Sequence, residues 1–408
     1  MARNSTHDIV IIGGGAGGIA TAASLLKRRP LLDIAIVEPQ SEHYYQPGWT
    51  MVGGGVFDAP VTCRPMASVM PERAHWIRRA AASFQPEANR VTLDDGSTIE
   101  YKLLVVAPGI RLAWEQIKGL EETLGRNGVT SNYRYDLAPY TWELVRNLKS
   151  GRAIFSQPPM PIKCAGAPQK AMYLSCDAWA ERGVLDMIDV EFRNAGGVLF
   201  GVEAYVPALM DYVARYGIDL KLQQKLVAVD GEAKTATFET IEGAETVGFD
   251  MLHAVPPQVA PDFLARSPLA QAGSGFVEVD KHTLQHPRFA NVFGLGDAAS
   301  TPNAKTAAAA RKQAPIVAVN ALAVLDGRKP SALYDGYGSC PLTVERGRIV
   351  LAEFGYDGKL LPSFPRWLID GTKPHRLSWL LKSEALPWIY WNGMLKGHEW
   401  LVKPKEAA

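Results

Sequence analysis

Asp8-Ile9-Val10-Ile11-Ile12-Gly13-Gly14-Gly15-Ala16-Gly17-Gly18 is the stretch from which the architecture follows. Ile9 to Ile12 is a continuous apolar run, the pattern of a strand buried on both faces of a parallel sheet. Glycines at 13, 15 and 18 spell G-x-G-x-x-G directly after it. A helix is predicted from Ile19 to Arg28. A second strand over Ile34 to Val37 ends at Glu38, 20 residues after Gly18. Each position has a task in a dinucleotide-binding turn. Gly13 permits the tight turn, Gly15 lets a pyrophosphate approach the backbone, and Gly18 lets the helix pack on the strand. Glu38 is placed to accept hydrogen bonds from ribose hydroxyls. Gly17 in the loop and Pro39 beside the acid join the same candidate site. Strand, loop, helix, strand and acid occur in order, so a chance glycine turn is the weaker reading.

The 408 residues predict two or three domains with ample core. A hydrophobic share of 47% against 21% charged predicts a globular protein and excludes a disordered one. A net charge of +1 gives no drive toward nucleic acid, and no such partner is expected. Four cysteines (Cys63, Cys164, Cys176 and Cys340) are too few and too scattered for a disulfide scaffold. Met1 to His7 is short and polar and carries no recognisable secretory signal. No run reaches 18 apolar residues, so no transmembrane helix is expected. With no H-E-x-x-H and no C-x-x-C, no metal is expected either.

Tyr44 to Trp49 reads as an aromatic lid, since loops at these strand ends carry ligands. Asp94-Asp95-Gly96 reads as a hairpin turn. Ala153-Ile154-Phe155 predicts a further strand and Ala167 to Glu181 a helix. A second nucleotide-binding unit would carry its own glycine loop between them. Instead, Pro158 to Lys170 holds four prolines and one cysteine, Cys164, beside Lys163. A cationic neighbour and a helix start lower a thiol's pKa, so Cys164 reads as a reactive redox thiol. Ile188 to Phe192, Tyr205 to Tyr216, Leu220 to Val229 and Thr235 to Thr240 continue the unit. Its nearby glycines, Gly196-Gly197 and Gly201, have the wrong spacing and follow the wrong strand. The expectation is the shape of a nucleotide-binding domain without a nicotinamide site.

Leu103-Leu104-Val105-Val106-Ala107-Pro108-Gly109 is a strand ending in a turn. Asn291-Val292-Phe293-Gly294-Leu295-Gly296-Asp297-Ala298 is another, with an acid at its end. With the first glycine loop, these motifs resemble the two-dinucleotide-binding-domain flavoproteins. The resemblance covers about residues 8–330 and implies FAD at the first loop. It implies Gly109 in a variant of the A-T-G turn and Asp297 on the ribityl chain. It also implies an α/β fold of two Rossmann-like domains. The FAD-binding domain is expected at 1–110 and 281–330, the second domain with Cys164 at 111–280, and a C-terminal segment with Cys340 at 331–408. The helix from Thr306 to Leu325 could point its positive end at the flavin, with Lys305 at its start.

Four cysteines allow six single pairs, and spacing does not choose among them. Cys176, inside a helix, reads as a buried inert thiol, and Cys63 as structural. Cys340 lies in the turn Gly338-Ser339-Cys340-Pro341-Leu342. That turn, Pro161 to Lys170 and Ile349-Val350-Leu351-Ala352-Glu353-Phe354 are similar to sulfide:quinone oxidoreductases, most of all the two-cysteine group that includes the animal mitochondrial enzymes. The resemblance implies that Cys164 and Cys340 are linked, directly or through bridging sulfur. Hydrosulfide from hydrogen sulfide would attack at Cys340 and leave a persulfide, and the released Cys164 thiolate would donate to the flavin. A small acceptor such as glutathione or sulfite would take the sulfur, and ubiquinone or a related quinone the electrons. Two alternatives are a type II NADH:quinone oxidoreductase and a redox-sensing flavoprotein without steady turnover.

Residues 359–408 carry five tryptophans and eight Lys or Arg against four Asp or Glu. Leu377, Leu380, Leu381, Ala385 and Trp388 fall at helical spacing. Such a segment suits the lipid headgroup layer, so a monotopic, peripheral protein is expected, on a bacterial inner membrane. Phe354, Tyr390 and Trp391 are candidates for a quinone-lining wall. A homo-oligomer is compatible with the tail.

Overall fold

A computed structural model describes residues 5–404. Residues 1–4 of the N-terminal stretch and 405–408 of the tail lie outside the described residues. β1 (Ser5–Ile12) is followed by α1 (Ala16–Arg28) and β2 (Ile34–Val37). α1 begins three residues before the predicted start, because Gly17 and Gly18 already form its first turn. β3 (Ala74–Ile77), β4 (Ala81–Gln85), β5 (Arg90–Leu93) and β6 (Thr98–Val106) complete the outer part of the sheet. The order is β3-β2-β1-β6-β5-β4. β1 lies between parallel partners, Ile11 opposite Ile36 on one side and Val105 on the other. Ile9 and Ile11 feed one core while Val10 and Ile12 feed another. A strand buried on both faces explains the unbroken apolar run. The hairpin at Asp94-Asp95-Gly96 joins β5 to β6, with Gly96 at φ +78.

A second parallel sheet holds β7 (Val129–Thr130), β8 (Gly151–Gln157), β9 (Ile188–Asn194), β10 (Asp219–Leu222) and β11 (Met251–His253) in the order β7-β11-β8-β9-β10. α2 (Ala167–Glu181) follows β8, and α3 (Val206–Arg215) follows β9. Phe155, Tyr173, Trp179, Phe192 and Leu209 fill their shared core. The Gly196-Gly197 cluster follows β9, whereas Cys164 stands one connection earlier, between β8 and α2.

The chain then returns to the first sheet. β12 (Val292–Gly294) pairs with the end of β6, Phe293 opposite Val105. α4 (Ala307–Leu325) packs on α1, its first turn capped by Thr306, whose hydroxyl accepts the Ala309 N–H at 3.1 Å. β13 (Gly338–Glu345) and β14 (Arg348–Phe354) form an antiparallel hairpin that leans on α2. The tail continues as a run of short helical turns from Arg376 to Lys396, two of them π-helical, over 381–385 and 389–393. Among the described residues no helix is long and apolar enough to cross a membrane.

Candidate active site

The carboxyl ends of β1, β6 and β12 open on one cavity of about 560 Å³. Gly13 has φ +100, and a Cβ there would meet the Ala107 carbonyl oxygen at 2.4 Å. A Cβ on Gly18 would meet the Gly13 carbonyl oxygen at 1.9 Å. A Cβ on Gly15, Gly109 or Gly296 would meet nothing within 4 Å, so there the backbone faces open cavity. Gly17 and Glu38 line the same space; Pro39 does not, and Gln40 does. The Glu38 carboxylate is aimed by backbone donors, the Gly14 N–H and the Gln40 N–H, both at 2.8 Å.

These residues fit FAD. The N-terminal end of α1, free of acids in its first turn, suits a pyrophosphate. Asp297 lines the cavity, its carboxyl pushed up by burial against the pull of Lys305 and Lys163. Lys305 is buried rather than solvated, and its ammonium donates to the carbonyls of Asp297 at 2.9 Å and Ala299 at 2.8 Å. Burial brings Lys305 down to about 8, with Asp297 opposing. Five buried polar atoms in the wall have no hydrogen-bond partner among the described residues: Trp49 Nε1, Thr50 Oγ1, both amide atoms of Asn132 and Arg311 Nε. Buried polar atoms are almost always paired, so this wall is suited to a polar ligand. The aromatic stretch is a fixed wall, not a lid: Tyr45 is 3% and Trp49 6% exposed.

The Cys164 loop is stitched down on several sides. Its N–H donates to the Lys305 carbonyl at 2.8 Å. The Tyr133 hydroxyl donates to the carbonyls of Lys163 and Cys164 at 3.0 and 3.2 Å. The Lys163 N–H reaches the Gln258 side chain at 2.8 Å. These bonds hold Cys164 at φ +51, a conformation costing on the order of 1–3 kcal/mol for a residue with a Cβ.

The two thiols that the family resemblance pairs do meet: Cys164 Sγ lies 3.4 Å from Cys340 Sγ. The cation touching Cys164 is not the adjacent Lys163. Lys163 Nζ turns to the Gln46 side chain at 2.5 Å and over the Trp49 ring. Lys170, in the first turn of α2, brings its Nζ to 3.0 Å from Cys164 Sγ. The hydrogen bond from Cys340 holds Cys164 well below the ordinary thiol pKa; burial opposes this, and the Lys170 charge adds to it. Cys340 keeps the proton and is pushed up by that bond and by burial. Burial also acts on Lys170, but the two cysteines outweigh it and its pKa ends raised.

A second lysine comes from the tail. Lys382, in the first π-helical turn, is 2% exposed and donates to the Pro47 carbonyl at 2.8 Å. Burial pushes it down to about 7, Lys170 adds to that, and the two cysteines oppose it. Nothing in a lysine-rich, tryptophan-rich tail marks this one residue as buried against the thiols. A charge inside the apolar run Ala167 to Cys176 does mark Lys170.

The remaining candidates separate. Tyr390 lines the cavity, and its hydroxyl lies 2.7 Å from His43 Nε2. Phe354 and Trp391 are not among the lining residues. Phe354 packs edge-on to Phe200 in the second core, and Trp391 lies under the Arg64 guanidinium at 4.3 Å. The tail side of the cavity is walled instead by Phe364, Leu381, Leu386, Ile389 and Met394. Cys176 is fully buried and its thiol raised by burial. Cys63 is pushed up to about 11, by burial first and then by the Glu42 carboxylate.

Residues 7–158 match the pyridine nucleotide-disulphide oxidoreductase family. The chain is 43% identical over 397 residues to the mitochondrial sulfide:quinone oxidoreductase of Dictyostelium discoideum, covering 97% of this chain and 87% of that one. It is 38% identical to the mitochondrial sulfide:quinone oxidoreductase of Mus musculus, over 96% of this chain and 87% of that one. The solved sulfide:quinone oxidoreductase of Aquifex aeolicus shares the fold, with a TM-score of 0.79 at 22% identity over 95% of this chain and 92% of that one. The two sequence relatives are named as mitochondrial, so a bacterial inner membrane finds no support here. Identity of this order, over nearly the whole length, places the chain in the sulfide:quinone oxidoreductase family.

Proposed function

We propose that the chain oxidises hydrosulfide at Cys164 and Cys340 and passes two electrons through FAD to a quinone. The observation that carries this reading is the thiol pair at 3.4 Å with Lys170 on one member only. In a linked pair, the cysteine with the lower pKa is the better leaving group. Hydrosulfide therefore attacks the sulfur on Cys340. The Cys340–sulfur persulfide forms, the link to Cys164 breaks, and Cys164 leaves as a thiolate beside the Lys170 ammonium. Lys382 adds positive charge near the sulfurs and draws the anion in. A nucleophile such as glutathione or sulfite removes the outer sulfur, and loss of two electrons from the cysteine pair re-forms the link. FAD, when held by the Gly13–Gly18 turn, Glu38 and Asp297, supplies the two-electron carrier between cysteines and quinone.

The test is anaerobic mixing. Sulfide is expected to bleach the bound flavin, and a soluble short-chain quinone to restore its colour. Bleaching by NADH, with none by sulfide, would favour a nicotinamide-dependent enzyme instead.

The tail supports docking on a membrane surface. Trp367, Leu380, Trp388 and Leu401 are 85%, 55%, 55% and 81% exposed, near the cavity's apolar wall. Aromatic and leucine side chains among lysines suit the interface of a bilayer. The double variant Leu380→Glu/Trp388→Glu is expected to stop sedimenting with anionic vesicles while still reducing a soluble quinone. Unchanged vesicle binding would remove the membrane role from this face.

A further inference from the structure

The β13–β14 hairpin has two faces with different chemistry. Cys340 pairs with Ala352, Ser339 with Glu353 and Pro341 with Leu351. Side chains alternate along strands, so Cys340 and Ala352 face α2 and the second core. Ser339, Pro341, Leu351 and Glu353 line the cavity from the other face. Glu353 is 5% exposed, and among the described residues it has no ion-pair partner. It does have a chain of hydroxyls. Its Oε1 accepts from the Tyr337 hydroxyl at 2.6 Å and the Ser363 hydroxyl at 2.5 Å, and its Oε2 accepts from the Ser363 N–H at 3.0 Å. Tyr337, Ser363 and Phe364 line the same cavity, and Ser363 is exposed. The thiol chemistry leaves this buried carboxylate unused.

We propose that Glu353 is the proton donor for quinone reduction, refilled from water through Ser363 and aided by Tyr337. The inference rests on the quinone reading above. Reducing a quinone to a quinol takes two electrons and two protons. The electron pair arrives with one proton, as a hydride equivalent. The quinone oxygen left anionic takes the second by way of Glu353: water passes a proton through the Ser363 hydroxyl to the Glu353 carboxylate, which hands it to the quinone oxygen and is a carboxylate again. The apolar wall of Phe364, Leu386 and Ile389 suits the quinone ring and keeps bulk water from supplying that proton directly. Arg311 and Lys312 on α4, the latter paired to Asp335 at 2.6 Å, stand near Tyr337, and Tyr205 binds the Glu353 backbone. Asp370 lies on the Tyr205 side.

The experiment separates the two half-reactions in the FAD-loaded enzyme by stopped flow. In Glu353→Gln, reduction of the flavin by sulfide is expected at the wild-type rate. Reoxidation by a soluble ubiquinone analogue is expected to slow by roughly 10²-fold or more, the range for a positioned acid. Its dependence on pH and its solvent isotope effect should change, and Glu353→Asp should recover part of the rate. A wild-type reoxidation rate and pH profile in Glu353→Gln would overturn the proposal. If Glu353→Gln fails to hold flavin, Tyr337→Phe and Ser363→Ala carry the test, and wild-type reoxidation in both overturns it equally. Failure of sulfide or quinone to act on the wild-type flavin would instead overturn the underlying function.

Discussion

Cys164→Ser is expected to purify yellow, with FAD bound, and to show no reduction of that flavin by sulfide. The serine keeps the shape of the loop, whose bonds are made by backbone groups: the Cys164 N–H to Lys305 and the Lys163 and Cys164 carbonyls to Tyr133. The glycine turn, Glu38 and Asp297 are untouched, so the cofactor should remain. What disappears is the thiolate next to Lys170, and with it both the link to Cys340 and the leaving group that hydrosulfide displaces. An alkoxide is far too basic to replace it at neutral pH. The loss should approach the limit of detection, because no other thiol can serve. Cys176 is buried in the second core, and Cys63 is held against Glu42. Anaerobic spectra after sulfide addition decide the matter, and sulfide-to-quinone turnover like that of the wild type would exclude the cysteine mechanism.

The parts of this site legible in the sequence are those set by backbone geometry. Gly13, Gly18 and Gly109 stand where a side chain is barred or where the chain must approach a ligand, and such needs leave a local motif. Lys170 and Lys382 show the limit. A cation beside a sulfur depends on the path of the chain, and Lys163, adjacent in sequence, points away. The tail's composition is equally blind to depth: Trp388 is exposed while Lys382, six residues earlier, is buried. Phe354 was misplaced for a reason that strand parity explains. It shares the face of Ala352, which looks into the second core, whereas Glu353 between them looks into the cavity. Only the cross-strand register separates these two neighbours, and that register required the partner strand.

Lys170→Met should raise the pKa of Cys164 and move the acid limb of the sulfide half-reaction to higher pH. The sign follows from the charge. Lys170 favours the thiolate, so Cys164 is reactive above its lowered pKa and loses reactivity as pH falls through it. A hydrogen bond to a charged group contributes about 1.5–3 kcal/mol. At about 1.36 kcal/mol per unit, its removal lifts the thiol by roughly one to two units. Below the shifted limb the thiolate population falls by about 10- to 100-fold, and the rate falls with it. The same change destabilises the reduced pair relative to the linked one, so the potential of the couple should become more negative, by about 30 mV for each tenfold step. Lys382 cannot compensate fully, since it sits near about 7 and sheds its proton as the solution becomes alkaline. Ultraviolet titration of the thiolate in the reduced protein reads the shift without any turnover. An unchanged thiolate titration in Lys170→Met would mean that Cys340, rather than the ammonium, sets the reactivity of Cys164.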